Sequence, residues 1–311
     1  MTNEPLSKSE ALVTRGDRTS LVAGLVALAL AQLWNLLAGY GGMLSVGQQA
    51  FVGIGAYSLV VLGLHGGLNA FAVVPLAGLV GAVAAATAPL VFRLSGAQFA
   101  VGTWVVAEVF RIVVANLPFV SGGSGVSVAR TVAGMDIEWR DSMTLWVALA
   151  LGAGAMAAVY ALLRSRWGLA LVAVRDSERA SQSLGVDSRR VKWLVYVASA
   201  AGCAMVGALI FITKLRVSPD AAFSIDWTTT MLFVVVIGGI GSLEGPVVGA
   251  VVYFLLREWL SYLGSIYMIV LGTLTMAVML VAPGGIWGLL TRRVPVHLFP
   301  LQRRVRRVDP G

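Results

Sequence analysis

The chain has 311 residues, of which 58% are hydrophobic and only 12% are charged. A soluble domain carries about 25% charged residues because it has a wet surface to cover, so the composition excludes a soluble globular protein, a disordered chain and a secreted disulfide scaffold. The formal net charge is +8, but 13 of the 23 Lys and Arg residues lie in 164–192 and 292–307; the positive-inside rule accounts for such clusters beside membrane spans without nucleic acid.

Five apolar runs precede a central basic loop. The polar segment 1–20 comes first, and a spanning helix needs about 20 predominantly apolar residues. The runs are predicted at 21–38, 43–63, 70–92, 97–116 and 143–163, with a loop at 117–142 before the last of them. The loop 164–193 carries seven basic and three acidic residues, which places it in the cytoplasm.

Three apolar regions follow the loop, at 194–213, 226–260 and 264–282. The basic tail 291–311 is also expected in the cytoplasm, so an even number of crossings must separate it from the loop. We therefore divide 226–260 at its Gly-rich stretch into 226–240 and 246–260. Five segments before the loop then place the N-terminus outside.

The predicted fold is an all-α polytopic transmembrane helical bundle of about 8–9 membrane segments. The transmembrane domain is expected at 21–290, with interrupted or re-entrant Gly-rich segments, which membranes tolerate only where protein or a cavity covers them. Gly241, Gly245 and Gly249 are four residues apart, a spacing that lets helices pack closely. The similar glycines near Gly39 and Gly53 indicate either an internal repeat or dense packing alone.

Covalent chemistry and nucleotide binding have no support in the sequence. The single cysteine, Cys203, lies in an apolar run, and the two histidines are far apart, so no disulfide within the chain and no metal site is predicted. None of the three lysines follows a glycine, which excludes the phosphate-binding P-loop. The chain is expected to be no enzyme and to bind no cofactor itself.

Glu108 and Arg111 are opposite charges within one predicted span. Three residues apart on a helix, they share a face and can pair. Ionisable groups in a membrane face the bundle interior or a cavity by default. Glu108 is therefore either a polar group beside a substrate path or half of a structural ion pair near a subunit contact.

Four segments together resemble a known family. The stretch Leu33–Tyr57 resembles the first signature of the branched-chain amino-acid ABC permeases, and specifically of their M-type subunit. The other three segments resemble that family's coupling loop, its Gly-Gly-x-Gly-Ser-x-x-Gly-Pro segment and its closing Pro-x-Gly-Leu motif; they are Val174–Val186, Val236–Ala250 and Pro283–Gly288.

The resemblance implies how the loop 164–193 is used. Glu178, Ala180 and Gly185 match the core of the loop that docks on a separate ATPase. Small Ala180 would permit close approach, and Gly185 would let the chain turn back. Arg175 and the other loop arginines would meet acidic groove residues or lipid head groups.

The resemblance also implies partners and a function. The partners would be a second, H-type permease, two ABC ATPases carrying ATP and Mg, and an extracytoplasmic solute-binding protein, assembled in the bacterial inner membrane. The solute would be a branched-chain amino acid or a related small polar solute, with urea or an amide as the alternative. An ion-coupled secondary transporter that uses Glu108 is the alternative from another class.

Polar side chains in the two Gly-rich interrupted segments, Asn35–Gly55 and Gly238–Gly249, predict where the translocation path runs. Such groups are costly in apolar surroundings unless they are bonded or face water. A path at the permease–permease interface would supply water, whereas bonding to neighbouring backbone would leave the glycines a packing role only. The residues are Asn35, Ser45, Gln48, Gln49, Ser242 and Glu244, with Glu108 as a further path candidate.

Overall fold

The structure is a computed structural model that describes residues 8–120, 123–260, 266–282 and 284–293. Most of the predicted tail and the first residue of the closing motif, Pro283, lie outside these ranges, as do the first seven residues. Within the described ranges the chain is helical apart from one two-stranded ribbon, in which β1 (Val126–Ser127) pairs antiparallel with β2 (Arg216–Val217).

The helices before the basic loop are interrupted more often than those after it. α1 continues into a π-helix at Leu36–Tyr40, and α2 into a π-helix at Leu59–His65. The predicted run 70–92 is broken by a short 3₁₀ turn between α3 and α4. The helices are α1 Lys8–Asn35, α2 Gln49–Ser58, α3 Ala70–Ala84, α4 Ala88–Val91, α5 Ala97–Ala115 and α6 Ile137–Arg164.

The basic loop is itself largely helical. It forms two short helices and then runs directly into α9, where Asp187 caps the first turn by accepting from the Arg190 backbone N–H. The helices from here onward are α7 Arg166–Asp176, α8 Glu178–Ser183, α9 Ser188–Lys214, α10 Pro219–Ala222, α11 Asp226–Gly238, α12 Gly245–Leu260, α13 Ile266–Val281 and α14 Gly285–Arg293.

In the part of the chain that the structure describes, six helical stretches are long and apolar enough to cross a membrane. The shorter apolar helices Gln49–His65 and Ala70–Ala84 come in addition, so the count of 8–9 segments stays a prediction. The region 226–260 is divided into α11 and α12, close to the predicted boundaries. The predicted loop 117–142 ends earlier than expected, because α6 begins at Ile137 and carries polar residues through its first turn.

α1 and α9 form the centre of the bundle. About 72% of each of their spanning windows is buried, against 17% for α5 and α6. α9 packs against α2 and α3, and α1 packs against α6, α11 and α12. α5 and α6 therefore present most of their surface to whatever surrounds this subunit, while α1 and α9 carry the internal contacts that position the interrupted segments.

Candidate coupling loop and interrupted segments

Asn35 joins the two interrupted segments. Its side chain is fully buried at the point where α1 passes into the π-helix. Its Nδ2 donates to the Ser242 carbonyl oxygen at 2.8 Å, and its Oδ1 accepts from the Gly241 backbone N–H at 2.9 Å. One amide thus satisfies a donor and an acceptor of the non-helical turn between α11 and α12, and the two segments form a single hydrogen-bonded seam.

Gln32 extends this seam by one turn. Its Nε2 donates to the Leu243 carbonyl oxygen at 2.8 Å, and its side chain is fully buried. The sequence analysis did not single it out, although its spacing of three residues from Asn35 places both amides on one helix face. Two amide side chains three residues apart in an otherwise apolar span could have indicated that Gln32 belongs to the same contact as Asn35.

Glycines allow the backbones to touch at the seam. A Cβ on Gly39 would lie 2.6 Å from the Gly241 backbone nitrogen. Gly241 itself has a φ of +77°, a conformation that side chains with a Cβ rarely adopt. The turn therefore fits against the π-helix only with glycine at both positions.

The hairpin of α11 and α12 depends on the same small residues. A Cβ on Gly249 would overlap the Val234 carbonyl oxygen, and one on Gly245 would overlap the Gly239 carbonyl oxygen. Ser242 closes the turn, since its Oγ donates to the Gly239 carbonyl at 2.9 Å and accepts from the Gly245 N–H at 3.1 Å. Glu244 is half-buried at the start of α12.

Three more predicted path residues form a buried cluster at the start of α2. Ser45, Gln48 and Gln49 are at most 1% exposed. Gln48 donates to the Ser45 Oγ at 3.4 Å and accepts from Ser199 on α9 at 3.5 Å. Gln49 accepts from the Thr228 hydroxyl on α11. These contacts agree with the packing alternative, in which the polar groups bond within the protein; a role in the path stays a prediction.

Glu108 lies on the outside of this subunit. Its side chain is 43% exposed and pairs with Arg111, whose Nε lies 2.9 Å from the Glu108 Oε1. Arg111 also reaches Asp220 of α10, with 2.7 Å between its Nη1 and the Asp220 Oδ1. The predicted pair is thus part of a three-residue network, and the sequence did not indicate Asp220 because it lies 109 residues away.

The predicted coupling loop, residues 164–193, presents α8 and the turn after it. Ser177 caps α8 by accepting from the Ala180 backbone N–H at 3.3 Å. Glu178 accepts from the Lys192 Nζ at 2.7 Å, and this hydrogen bond lowers the pKa of the Glu178 carboxyl below its ordinary value. Gly185 ends the turn with a φ of +84°. The fold therefore holds the N-terminal end of α8, while all of its side chains except Ser181 stay exposed.

Leu184 stands out on this surface. Its side chain is 83% exposed, between the exposed residues Ser183 and Gly185 of a loop that carries charge on both sides. A single exposed apolar side chain is common on protein surfaces, and Leu184 is of interest because it lies between Ala180 and Gly185, in the segment predicted to dock on an ATPase. The sequence analysis named the residues on either side of it but not Leu184.

Arg175 ties the coupling loop to the end of α1. Its Nη1 donates to the Gly39 carbonyl oxygen at 3.0 Å, and its Nε and Nη2 bind the Asp176 Oδ1. The Arg175 side chain also lies against Gly42, where an added Cβ would come within 3.0 Å of it. Gly39 belongs to the seam described above. The loop and the seam are therefore one connected structure.

In the part of the chain that the structure describes, no three His, Cys, Asp or Glu side chains lie close enough together to bind a metal ion. Cys203 is free and fully buried in α9. The contacts at the loop and the seam are hydrogen bonds and backbone packing, an arrangement that can transmit movement between α8 and the interrupted segments.

Comparison with known proteins extends along nearly the whole chain. A family model described as the permease component of the branched-chain amino acid transport system matches residues 17–281. The high-affinity branched-chain amino acid transport system permease protein LivM of Escherichia coli (strain K12) is 28% identical over 301 residues, covering 88% of this chain and 71% of that protein.

Two further relatives carry the same name. LivM of Salmonella typhimurium (strain LT2) is 29% identical over 301 residues, again with 88% of this chain and 71% of the relative covered. A probable branched-chain amino acid transport permease protein LivM of Methanocaldococcus jannaschii is 22% identical over 214 residues, covering 62% of this chain and 59% of the relative. No solved structure matches the chain.

Proposed function

The chain belongs to the family of branched-chain amino acid transport system permease components, and on that basis we propose that it is the M-type permease subunit of an ABC importer for branched-chain amino acids. It is a multi-pass protein of the inner membrane. The relatives it matches are named as permeases for these amino acids. The remaining partners we propose are an H-type permease, two ATPases that hold ATP and Mg, and a solute-binding protein outside the membrane.

The family match carries the proposal, and the structural feature that supports an ATPase partner is the exposed tip of the predicted coupling loop. α8 is capped by Ser177 and tied by Glu178 to Lys192, so it is preformed before a partner binds. Preformed elements bind at a lower entropic cost. Leu184 offers an apolar anchor beside small Ala180, which is also exposed, and this combination suits a helix that enters a groove on a separate ATPase.

Replacing Leu184 with glutamate is expected to release the ATPase. Burying a leucine side chain contributes roughly 1.5–3 kcal/mol, so losing it and burying a charge should weaken binding at least about tenfold. The measurement is the amount of ATPase that copurifies with the affinity-tagged permease. Leu117→Glu, which adds the same charge to a residue 45% exposed at the opposite end of the bundle, is the matched control.

Gly185→Val provides a second variant for the same surface. At a φ of +84° a β-branched residue is strained by roughly 1–2 kcal/mol, and nothing within 4 Å of the new Cβ would clash. The variant should therefore insert in the membrane and still bind the ATPase poorly. Full ATPase recovery with both variants would contradict docking through this turn.

Coupling is proposed to run from α8 through Arg175 to the seam. A displacement of α7 and α8 by the ATPase pulls on the Gly39 carbonyl, which belongs to the π-helix that Asn35 ties to the α11–α12 turn. A π-helix at a functional site is a recognised point of local adjustment. The path itself is proposed along these interrupted segments, where they meet the second permease.

Replacing Arg175 with methionine is expected to uncouple ATP hydrolysis from transport. The change removes a hydrogen bond from a charged donor, worth about 1.5–3 kcal/mol, while leaving the α8 surface intact. ATPase recruitment should persist, and the amount of solute moved per ATP hydrolysed in proteoliposomes should fall by about tenfold or more. Arg179→Met removes an exposed α8 arginine instead and serves as the control; an equal fall there, or no change at Arg175, would contradict this transmission.

The alternative of an ion-coupled transporter gains nothing from the geometry of Glu108. A carboxylate that serves an ion pathway in the membrane faces the bundle interior or a water-filled cavity, whereas Glu108 lies on the outside of this subunit. Glu108 is already bonded to Arg111, which in turn bonds Asp220. This network is a fixed link between α5 and α10, as a structural ion pair would be.

A further inference from the structure

A cavity of about 410 Å³ lies at the end of the bundle opposite the coupling loop, between α1, α6, α9, α11 and α12. One part of its wall is basic, and the part farther along α1 is apolar, with Val22, Val26 and Leu30. Among the described residues, the basic side chains of the wall are Arg18, Arg140, Lys214 and Arg257, and the one carboxylate is Asp141. The cavity thus combines a positive rim with an aliphatic lining.

The charges on the rim are only partly neutralised within the described residues. Arg140 pairs with Asp141 at 3.4 Å, and Arg18 donates to the Ser142 Oγ at 3.4 Å. Lys214 lies over the Trp227 ring at 4.7 Å from its centre. No carboxylate in the described ranges forms an ion pair with Lys214 or Arg257.

Two further carboxylates lie near this rim, and one of them, Asp226, acts electrostatically on Lys214. Asp226 begins α11 and is exposed. Glu258 accepts from the Ser20 Oγ at 3.4 Å. Neither lines the cavity, whose wall has four basic side chains and one carboxylate among the described residues. An anion would therefore be attracted to this wall.

The position of the cavity along α9 indicates on which side of the membrane it lies. α9 starts at the coupling loop and ends at Lys214; its 27 residues span about 40 Å. In the proposed orientation the rim therefore lies at the outer surface of the membrane. Basic residues are scarce at that level, whereas Trp and Tyr are enriched there. Trp227 and Tyr253 fit the common pattern, and the four basic residues do not.

We propose that this cavity binds the phosphate of an anionic phospholipid of the outer leaflet, with an acyl chain along the apolar lining. The orientation comes from the proposed function; the binding does not depend on transport. Arg and Lys bind phosphate oxygens through charge-assisted hydrogen bonds. A free inorganic anion would leave the aliphatic lining unused. An amino-acid solute would bring its ammonium group to a rim with four cations, and the one wall carboxylate there is already paired with Arg140.

The test is lipid titration of the purified permease in its complex, followed by native mass spectrometry. Phosphatidylglycerol is the probe, and one molecule per chain is expected to bind well above the background of weaker adducts. The double variant Lys214→Gln, Arg257→Gln should weaken this binding at least about tenfold, since two charged donors are lost. Arg130→Gln, an exposed arginine at the same end but outside the cavity, should leave it unchanged.

Other outcomes overturn the proposal. Equal retention of phosphatidylglycerol by the double variant, or equal loss in Arg130→Gln, would show that binding is unspecific. Displacement of the lipid by millimolar leucine would assign the cavity to the solute. Should the double variant not purify, a photoactivatable phosphatidylglycerol on the wild-type complex decides: crosslinks at Val22 or Val26 support the site, and crosslinks confined to α5 and α13 contradict it.

Discussion

Replacing Asn35 with alanine is expected to remove most of the folded permease from the membrane. The variant would leave the Gly241 N–H and the Ser242 carbonyl without the partner that they have now. An unsatisfied buried polar group costs about 1–3 kcal/mol, so the expected loss is about 2–5 kcal/mol. Membrane abundance by immunoblot and the melting temperature in detergent measure it.

The expected size of this effect depends on which groups lose their partner. Hydrogen bonds between membrane helices average only about 0.6 kcal/mol, because the separated helices find other partners. Gly241 and Ser242, however, lie in a non-helical turn. Without Asn35, their backbone groups have no hydrogen bond within a helix to replace the lost ones. Ser58→Ala is the matched control: its Oγ donates only to the Ile54 carbonyl of its own helix, so its removal should cost little.

The same variant separates the two interpretations of the interrupted segments. If Asn35 serves packing, the surviving transporters should show unaltered affinity for the solute while their number falls. If Asn35 lines the path, affinity or rate should change in variants that retain their abundance, such as Asn35→Asp. Normal abundance and normal uptake of Asn35→Ala would contradict both interpretations and the seam itself.

Features that depend on neighbouring residues could be predicted from the sequence. The Gly-rich stretch between 238 and 246 breaks helix wherever it occurs, because glycine costs about 1 kcal/mol relative to alanine in a helix. The structure accordingly ends α11 at Gly238 and begins α12 at Gly245. The boundaries of α5 follow in the same way from a continuous apolar run with glycine before it.

Contacts between distant parts of the chain could not be predicted. Asn35 was singled out as a costly polar residue, but its partner lies 207 residues away, and no local pattern encodes that distance. The link from Arg175 to the Gly39 carbonyl spans 136 residues. Arg175 therefore looked like one loop arginine among several, although its role is distinct.

The start of α6 was missed for a different reason. Its first six residues include charged side chains and were assigned to a loop, because the prediction followed hydropathy. A helix that leaves the hydrocarbon core continues without penalty, since its backbone bonds are satisfied internally. The polarity of the sequence therefore indicates where the hydrocarbon core ends, but it does not indicate where the helix ends.

Gly249→Ala is expected to force α11 and α12 apart. The added methyl group would overlap the Val234 carbonyl oxygen, which is backbone and cannot rotate away as a side chain can. Overpacking of a rigid site costs about 1–3 kcal/mol, and here it would also shift the turn that Asn35 holds. Membrane abundance and the melting temperature should both fall, with transport lost in proportion or further.

The chain offers a close control for this substitution. Gly272 lies within α13 and an added Cβ there meets nothing within 4 Å, so Gly272→Ala gains helix propensity of about 1 kcal/mol without a clash. Both variants replace glycine with alanine within a helix. They differ in that only the new Cβ at position 249 would meet the backbone of a neighbouring helix. A stable Gly249→Ala protein would mean that the hairpin tolerates separation and that these glycines do not set the distance between α11 and α12. A loss at Gly249 with full activity at Gly272 would show that close packing of this hairpin holds the turn against α1.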